Sequence, residues 1–342
     1  MAKASGPKKR ARRSGGAATV VDVARLAGVA PNTVSRVLNH PEQVAEGTRE
    51  RINEAIRVTG YTPNLLAAGV RSSRSKLVAA IVPTVSGPMF LETIQALTET
   101  LDRNGYQLIL GQAGYDGLRE DELLSAIIGR RPAGIALIGV VHSAESRRRL
   151  LASQIPVVET WDLTTTPIDM VVGFSHEETG AAVCDFLLRK GRKRPAIVTG
   201  RDERAKRRAL AFAAAAQKQG IEVQIEWTGA PGTLAGGREA AARLLARDTR
   251  PDAIFCSSDL IALGVVTEAT AHGVSVPYEL AVVGFGDLNF SEGVIPPLTT
   301  VHLDGSRIGE LTGSMLVDRA EGRQPAQKRV DVTFSILERG ST

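Results

Sequence analysis

Between Thr19 and Asn39 the chain reads Thr-Val-Val-Asp-Val-Ala-Arg-Leu-Ala-Gly-Val-Ala-Pro-Asn-Thr-Val-Ser-Arg-Val-Leu-Asn. Asn32, Thr33, Ser35 and Arg36 are short or forked polar groups able to reach base edges or phosphates. The spacing that carries them is helical. Thr19 can cap a helix with Asp22 in its first turn. Val20, Val23, Ala24 and Ala27 form one apolar stripe, and Gly28 sits where that helix must stop and turn with positive φ. Pro31 suits the first position of a second helix. Its Val34, Val37 and Leu38 are spaced to pack on the first helix. The pattern predicts a helix-turn-helix that presents its polar face to a DNA major groove. The plain alternative is a helical hairpin with a solvated polar face.

A second constellation suits a small ligand. Gly200-Arg-Asp-Glu-Arg-Ala-Lys-Arg-Arg208 follows the apolar run Ala196–Val198. Arg204 and Arg208 lie one helical turn apart on one face. Two converging guanidinium groups hold a carboxylate or phosphate in bidentate fashion, unless the helix face is merely solvated. Arg201, Lys206 and Arg207 cannot all share that face. Ser257-Ser-Asp259 ends another apolar run. A carboxylate there can accept two sugar hydroxyls or simply cap a helix. Trp161 can stack on the C–H face of a carbon chain or fill a core.

Other chemistries find little support. The histidines (His40, His142, His176, His272, His302) are scattered, with no serine or cysteine nucleophile motif beside them. Cys184 and Cys256 fit a reducing compartment, and neither has a Cys or His at metal-ligand spacing. Gly284-Phe-Gly286 is only a fragment of a dinucleotide fingerprint. No enzyme, cofactor or metal is expected. No apolar run reaches the roughly 18 residues of a membrane helix. The basic start is not followed by an apolar stretch, so it does not read as a secretory signal, and a cytoplasmic location is expected.

The surrounding elements follow from pattern. The 342 residues carry a net charge of +5 and are 43% hydrophobic, enough for two or three domains. Charge is uneven: residues 1–76 hold 14 Lys+Arg against 5 Asp+Glu, and the remainder is net acidic. A concentrated positive field points to nucleic acid. Residues 1–18 read as a disordered basic arm, 19–63 as the DNA-binding headpiece and 64–76 as a linker. From Leu77, apolar runs (Leu77–Val82, Leu108–Leu110, Gly134–Val140, Pro156–Val158, Ala196–Val198, Ala253–Phe255 and Ala281–Phe285) alternate with amphipathic stretches such as Leu91–Arg103 and Leu260–Ala271. That alternation predicts an α/β core of parallel sheets in two lobes over 77–342. The first lobe is placed at about 77–174 and 303–330, the second at about 175–302 and 331–342. Ligands in such folds bind beyond the carboxyl ends of the strands. The candidate stretches are Pro83–Phe90, Gln112–Tyr115, Glu159–Asp162, Phe174–Ser175, Gly200–Arg208, Ser257–Asp259 and Phe285–Phe290. They place Phe90, Glu159, Trp161, Arg204, Arg208, Asp259 and Asp287 among the ligand candidates.

Asp22-Val-Ala, Ala27-Gly-Val, Thr33-Val-Ser-Arg-Val-Leu-Asn39, Thr48-Arg and Gly60-Tyr-Thr-Pro-Asn64 stand in the order and spacing of one family. The chain resembles the lactose-repressor (LacI/GalR) family, and Pro297-Leu-Thr-Thr-Val301 extends the likeness. The resemblance implies a ligand-responsive transcriptional repressor, with a helix-turn-helix headpiece on a two-lobed core like that of periplasmic binding proteins. It implies base reading by Pro31, Asn32 and Arg36, and phosphate anchoring by Thr19, Thr33, Ser35, Asn39 and Thr48. A hinge helix over 64–71 would include Asn64 and wedge Val70 into the minor groove. Ala30 and Ala45 replace hydroxyl residues common at those helix starts, and Gly69 weakens the hinge helix.

The resemblance also assigns Arg208 and Asp259 to the effector. Asn39-His-Pro-Glu-Gln-Val44, Pro156-Val-Val-Glu159, Val172-Gly-Phe174 and Asp202-Glu-Arg204 resemble gluconate-utilisation repressors in particular. A sugar acid is therefore the expected effector, with a neutral or phosphorylated sugar as the alternative. A pseudo-palindromic DNA operator and a second copy of the chain are the other expected partners. The missing heptad tail favours a homodimer over a tetramer. A solute-binding protein of the same fold is the remote alternative, opposed by the basic headpiece and the lack of a signal sequence.

Overall fold

The computed structural model describes residues 18–62, 75–115, 117–229 and 231–342. The expected basic arm through residue 17 lies outside them, as do Asn64, Val70 and the rest of the expected hinge through Arg74. The chain divides into two compact units, residues 1–73 and 74–342.

Among its described residues the first unit has three α-helices, α1 (Val20–Ala27), α2 (Pro31–Asn39) and α3 (Glu46–Thr59). Thr19 and Asp22 form a reciprocal capping box. The Thr19 hydroxyl accepts from the Asp22 amide, and the Asp22 carboxylate accepts from the Thr19 amide at 3.0 Å. Gly28 ends α1 at φ +67°, a left-handed value that costs glycine nothing. Ala30 and Ala45 precede α2 and α3 without a side-chain cap. Val23, Ala24, Ala27, Val34, Val37, Ile52 and Ala55 close a small core. Leu38 departs from the expected packing and stays 37% exposed. At 100° per residue, the buried Val34 and Val37 leave Leu38 at the edge of the packed stripe.

The second unit holds two six-stranded sheets. The first sheet contains β1 (Leu77–Val82), β2 (Gln107–Gln112), β3 (Gly134–Ile138), β4 (Val157–Thr160), β5 (Met170–Gly173) and β11 (Arg329–Asp331). Its order is β11-β5-β4-β3-β1-β2, all parallel. The second contains β6 (Pro195–Thr199), β7 (Gln224–Trp227), β8 (Ala253–Cys256), β9 (Ala281–Phe285), β10 (Thr299–His302) and β12 (Ser335–Leu337). Its order is β12-β10-β9-β8-β6-β7, with only β12 antiparallel. Central strands such as β1, β6 and β8 are buried on both faces because helices cover both sides, which is why they read as unbroken apolar runs. The chain passes between the sheets three times, after β5, after β10 and between β11 and β12.

Helix α4 (Leu91–Arg103) packs against α11 (Gly305–Ala320) in the first lobe. In the second, α7 (His176–Arg189) packs against α8 (Glu203–Lys218). Gly180 decides that contact. A Cβ there would lie 2.1 Å from the Arg208 carbonyl oxygen, so only glycine lets the two helices approach this closely. The approach sets the depth at which Arg208 sits. No helix among the described residues is long and apolar enough to cross a membrane.

Candidate functional site

On the headpiece, α2 turns Val34 and Val37 inward, which leaves Pro31, Asn32, Ser35 and Arg36 on the exposed side and Thr33 partly so. Thr19 is exposed at the start of α1. Thr48 is half-buried in the first turn of α3 and accepts from Arg51 at 3.4 Å. Asn39 ends α2, and its side chain lies outside the described part of the structure. The arrangement is one convex polar face on a rigid helix, the shape that enters a major groove.

In the second unit a hollow opens between the two sheets at the carboxyl ends of their strands. It contains about 720 Å³ of empty space, part of it open to solvent. Phe90 and Trp161 face it from the first lobe, Arg204, Arg208 and Phe285 from the second. Phe90 and Trp161 meet edge to face at 5.0 Å. The Trp161 indole donates to the Thr93 hydroxyl at 3.0 Å, which fixes the ring as a wall.

Arg208 is 5% exposed. Its Nη1 bonds His176 Nδ1 at 3.0 Å, and its Nη2 donates to the Ser257 carbonyl at 3.3 Å. The guanidinium lies 3.8 Å above the Phe285 ring. Burial pulls its pKa down to about 10, so it stays cationic at neutral pH. Its Nε has no partner among the described residues, and neither has the buried Nη1 of Arg204. Arg204 stands over the Phe90 ring at 5.4 Å, with Asp202 3.9 Å from its Nε. The neighbouring cations are engaged elsewhere. Lys206 pairs with Glu203 at 2.7 Å, and Arg207 is clasped by Asp162 and Glu177. Arg201 lies over the Trp227 ring. Two guanidiniums with unused donors in an aromatic-walled hollow can hold an oxyanion.

Three sequence candidates are not on this wall. Asp259 is the first residue of α10 (Asp259–Ala271), capped by Ser258 rather than by Asp259 itself. Its carboxylate is fully buried and accepts from the Leu288 amide at 2.7 Å, Ser291 at 2.7 Å and Thr300 at 2.6 Å. Gly284 makes room for it, since a Cβ there would lie 2.0 Å from Oδ1. The hydroxyls it binds are therefore the chain's own. Glu159 is buried below the cleft, accepting from the Ile168 amide at 2.7 Å and facing His142 at 3.6 Å. Asp287 turns away to Arg339 at 2.8 Å and His302 at 2.9 Å.

Removing the Asp259 carboxylate should consequently damage the fold more than the ligand site. Asp259→Ala strands one amide and two hydroxyls, each orphan costing about 1–3 kcal/mol. A loss of about 3 kcal/mol or more is expected, lowering Tm by roughly 2–4 °C per kcal/mol in a domain of this size. Wild-type melting combined with lost ligand binding would return the carboxylate to the site.

Sequence reasoning missed His176, which faces the hollow together with Tyr115, the last residue of the candidate stretch Gln112–Tyr115. His176 stands directly after the Phe174–Ser175 stretch that marks a strand end, so its position was the available signal. Among the described residues no cluster of three or more potential metal ligands occurs.

Comparison with known proteins agrees with this geometry. A family model for bacterial regulatory proteins of the lacI family matches residues 19–64, and one for a periplasmic binding protein-like domain matches 184–342. The HTH-type transcriptional regulator GntR of Pseudomonas aeruginosa is 33% identical over 333 residues, covering 96% of this chain and 97% of that protein. The ribose operon repressor of Escherichia coli is 29% identical, covering 95% and 99%. The crystal structure of a LacI-family transcriptional regulator from Silicibacter pomeroyi superposes with a TM-score of 0.89 at 30% identity, covering 95% and 99%. With a helix-turn-helix headpiece on a two-sheet parallel α/β core, the chain belongs to the LacI family of bacterial transcriptional regulators and is a DNA-binding repressor, not an enzyme.

Proposed function

We propose that this repressor controls sugar-acid metabolism, with a gluconate-type acid binding in the interlobe hollow and changing its affinity for a pseudo-palindromic operator. The observation that carries the effector reading is the pair of unused donors, Arg208 Nε and Arg204 Nη1. A buried guanidinium donor without a partner is costly, and a carboxylate supplies the missing acceptor. Phe90 and Trp161 offer the C–H faces of the carbon chain an apolar wall. The likeness to a regulator named GntR supports the same reading, while the likeness to a ribose operon repressor keeps a neutral sugar in play.

On DNA, Pro31, Asn32 and Arg36 read bases, while Thr19, Thr33, Ser35, Asn39 and Thr48 hold phosphates, with Asn64 and Val70 at the minor groove. A homodimer places two headpieces on one two-fold axis. The site of action is the cytoplasm, where the DNA is.

The test is a labelled-operator titration with gluconate, ketogluconate, 6-phosphogluconate, glucose and ribose. The acids should shift operator affinity about 5- to 150-fold, the usual range of such coupling, and glucose and ribose should not. Response to a neutral sugar with none to the acids would overturn the assignment.

A further inference from the structure

His176 opens α7, just after the chain passes from the first lobe to the second, and it is 1% exposed. Both ring nitrogens are engaged. Nε2 lies 3.0 Å from the Trp161 carbonyl oxygen, which can only accept, so Nε2 carries the proton. Burial, followed by the nearby charges of Arg208, Arg204 and Arg207, holds the His176 pKa well below its ordinary value. The ring is therefore neutral, and Nδ1 offers a lone pair to Arg208 Nη1 at 3.0 Å.

The two ends of this ring reach different lobes. Arg208 belongs to α8 of the second lobe, and Trp161 follows β4 of the first. Trp161 holds φ +63°, a left-handed value unusual for a bulky residue, so its backbone needs fixed partners. Its amide donates to the Val172 carbonyl at 3.1 Å, and its carbonyl accepts from His176.

We propose that His176 is a positioning residue that ties the orientation of the Arg208 guanidinium to the backbone of Trp161 across the cleft. A planar ring bonded at both ends cannot follow one partner without displacing the other. A ligand that draws Arg208 toward itself thereby moves the wall opposite. The ligand half of this inference rests on the effector reading above, whereas the tie itself can be read without ligand.

Trp161 and Trp227 are the only tryptophans, so Trp227→Phe makes emission report on Trp161 alone. In that background His176→Asn keeps an acceptor near the Nδ1 position and loses the reach to Trp161. His176→Gln keeps a donor near Nε2 and loses the acceptor for Arg208. Expected without ligand is a large shift in Trp161 emission and acrylamide quenching for His176→Asn and a smaller one for His176→Gln, which cuts only the Arg208 end of the tie. Arg208→Met should shift emission when His176 is present and add nothing in the His176→Asn protein, the non-additivity of a connected pair. With gluconate as probe, the Gln variant should bind about tenfold more weakly than the Asn variant, the size of one hydrogen bond to a charged group. Equal emission changes in all three variants, or additive ones, would overturn the tie. If the wild-type protein takes up no gluconate, the sugar-acid reading fails and the emission series still decides the inference.

Discussion

Replacing Asn32 and Arg36 together by alanine should strip most of the discrimination between a cognate operator and a scrambled duplex, while leaving non-specific DNA binding in place. Both residues are on the exposed side of α2 and the helix is held by the buried Val34 and Val37, so the headpiece keeps its fold. Each good side-chain pair to a base edge contributes about 1–3 kcal/mol of discrimination. Losing two should cost roughly 30-fold to 10⁴-fold in the cognate-to-scrambled ratio. Affinity for scrambled DNA should fall far less, because the hydroxyls proposed to hold phosphates remain. Competition binding at several salt concentrations separates the two effects, and discrimination that survives the double substitution would remove the proposed reading face.

Arg208→Met should abolish the effector response without unfolding the core. Truncating one member of a buried charged pair costs about 2–5 kcal/mol of affinity, or roughly 30- to 4000-fold. The fold is affected much less. Methionine orphans His176 Nδ1 and the Ser257 carbonyl, yet it relieves the burial of a charge that already holds the Arg208 pKa down at about 10. Replacing buried charge by an apolar side chain of similar size is often neutral or stabilising. Calorimetric titration with gluconate alongside a melting curve reads both quantities. A variant that still responds to gluconate would sink the anion site, and one that melts far below wild type would make Arg208 a structural residue.

The headpiece was legible because its signals are local. Thr19 and Asp22 form the cap, Gly28 supplies the left-handed turn and Pro31 opens α2 as their types require. Among the central strands β5 and β10 were not picked out, whereas others were legible as apolar runs for the same reason, as β1 and β9 coincide with Leu77–Val82 and Ala281–Phe285. The edge strand β7 was not. Its Gln-Ile-Glu-Trp sequence is half-solvated and carries no unbroken run. Nor were β11 and β12, which have three residues each.

In the cleft, sequence alone determined that strand ends would gather acids, arginines and aromatics in one region, since helix spacing aligns Arg204 with Arg208 and parallel topology brings the strand ends together. Which of those side chains face the hollow was decided only by tertiary structure. Asp259 is turned inward by partners 29, 32 and 41 positions along the chain, and Asp287 is drawn off by Arg339. A buried carboxylate goes wherever donors neutralise it, and such donors meet only after the strands have assembled.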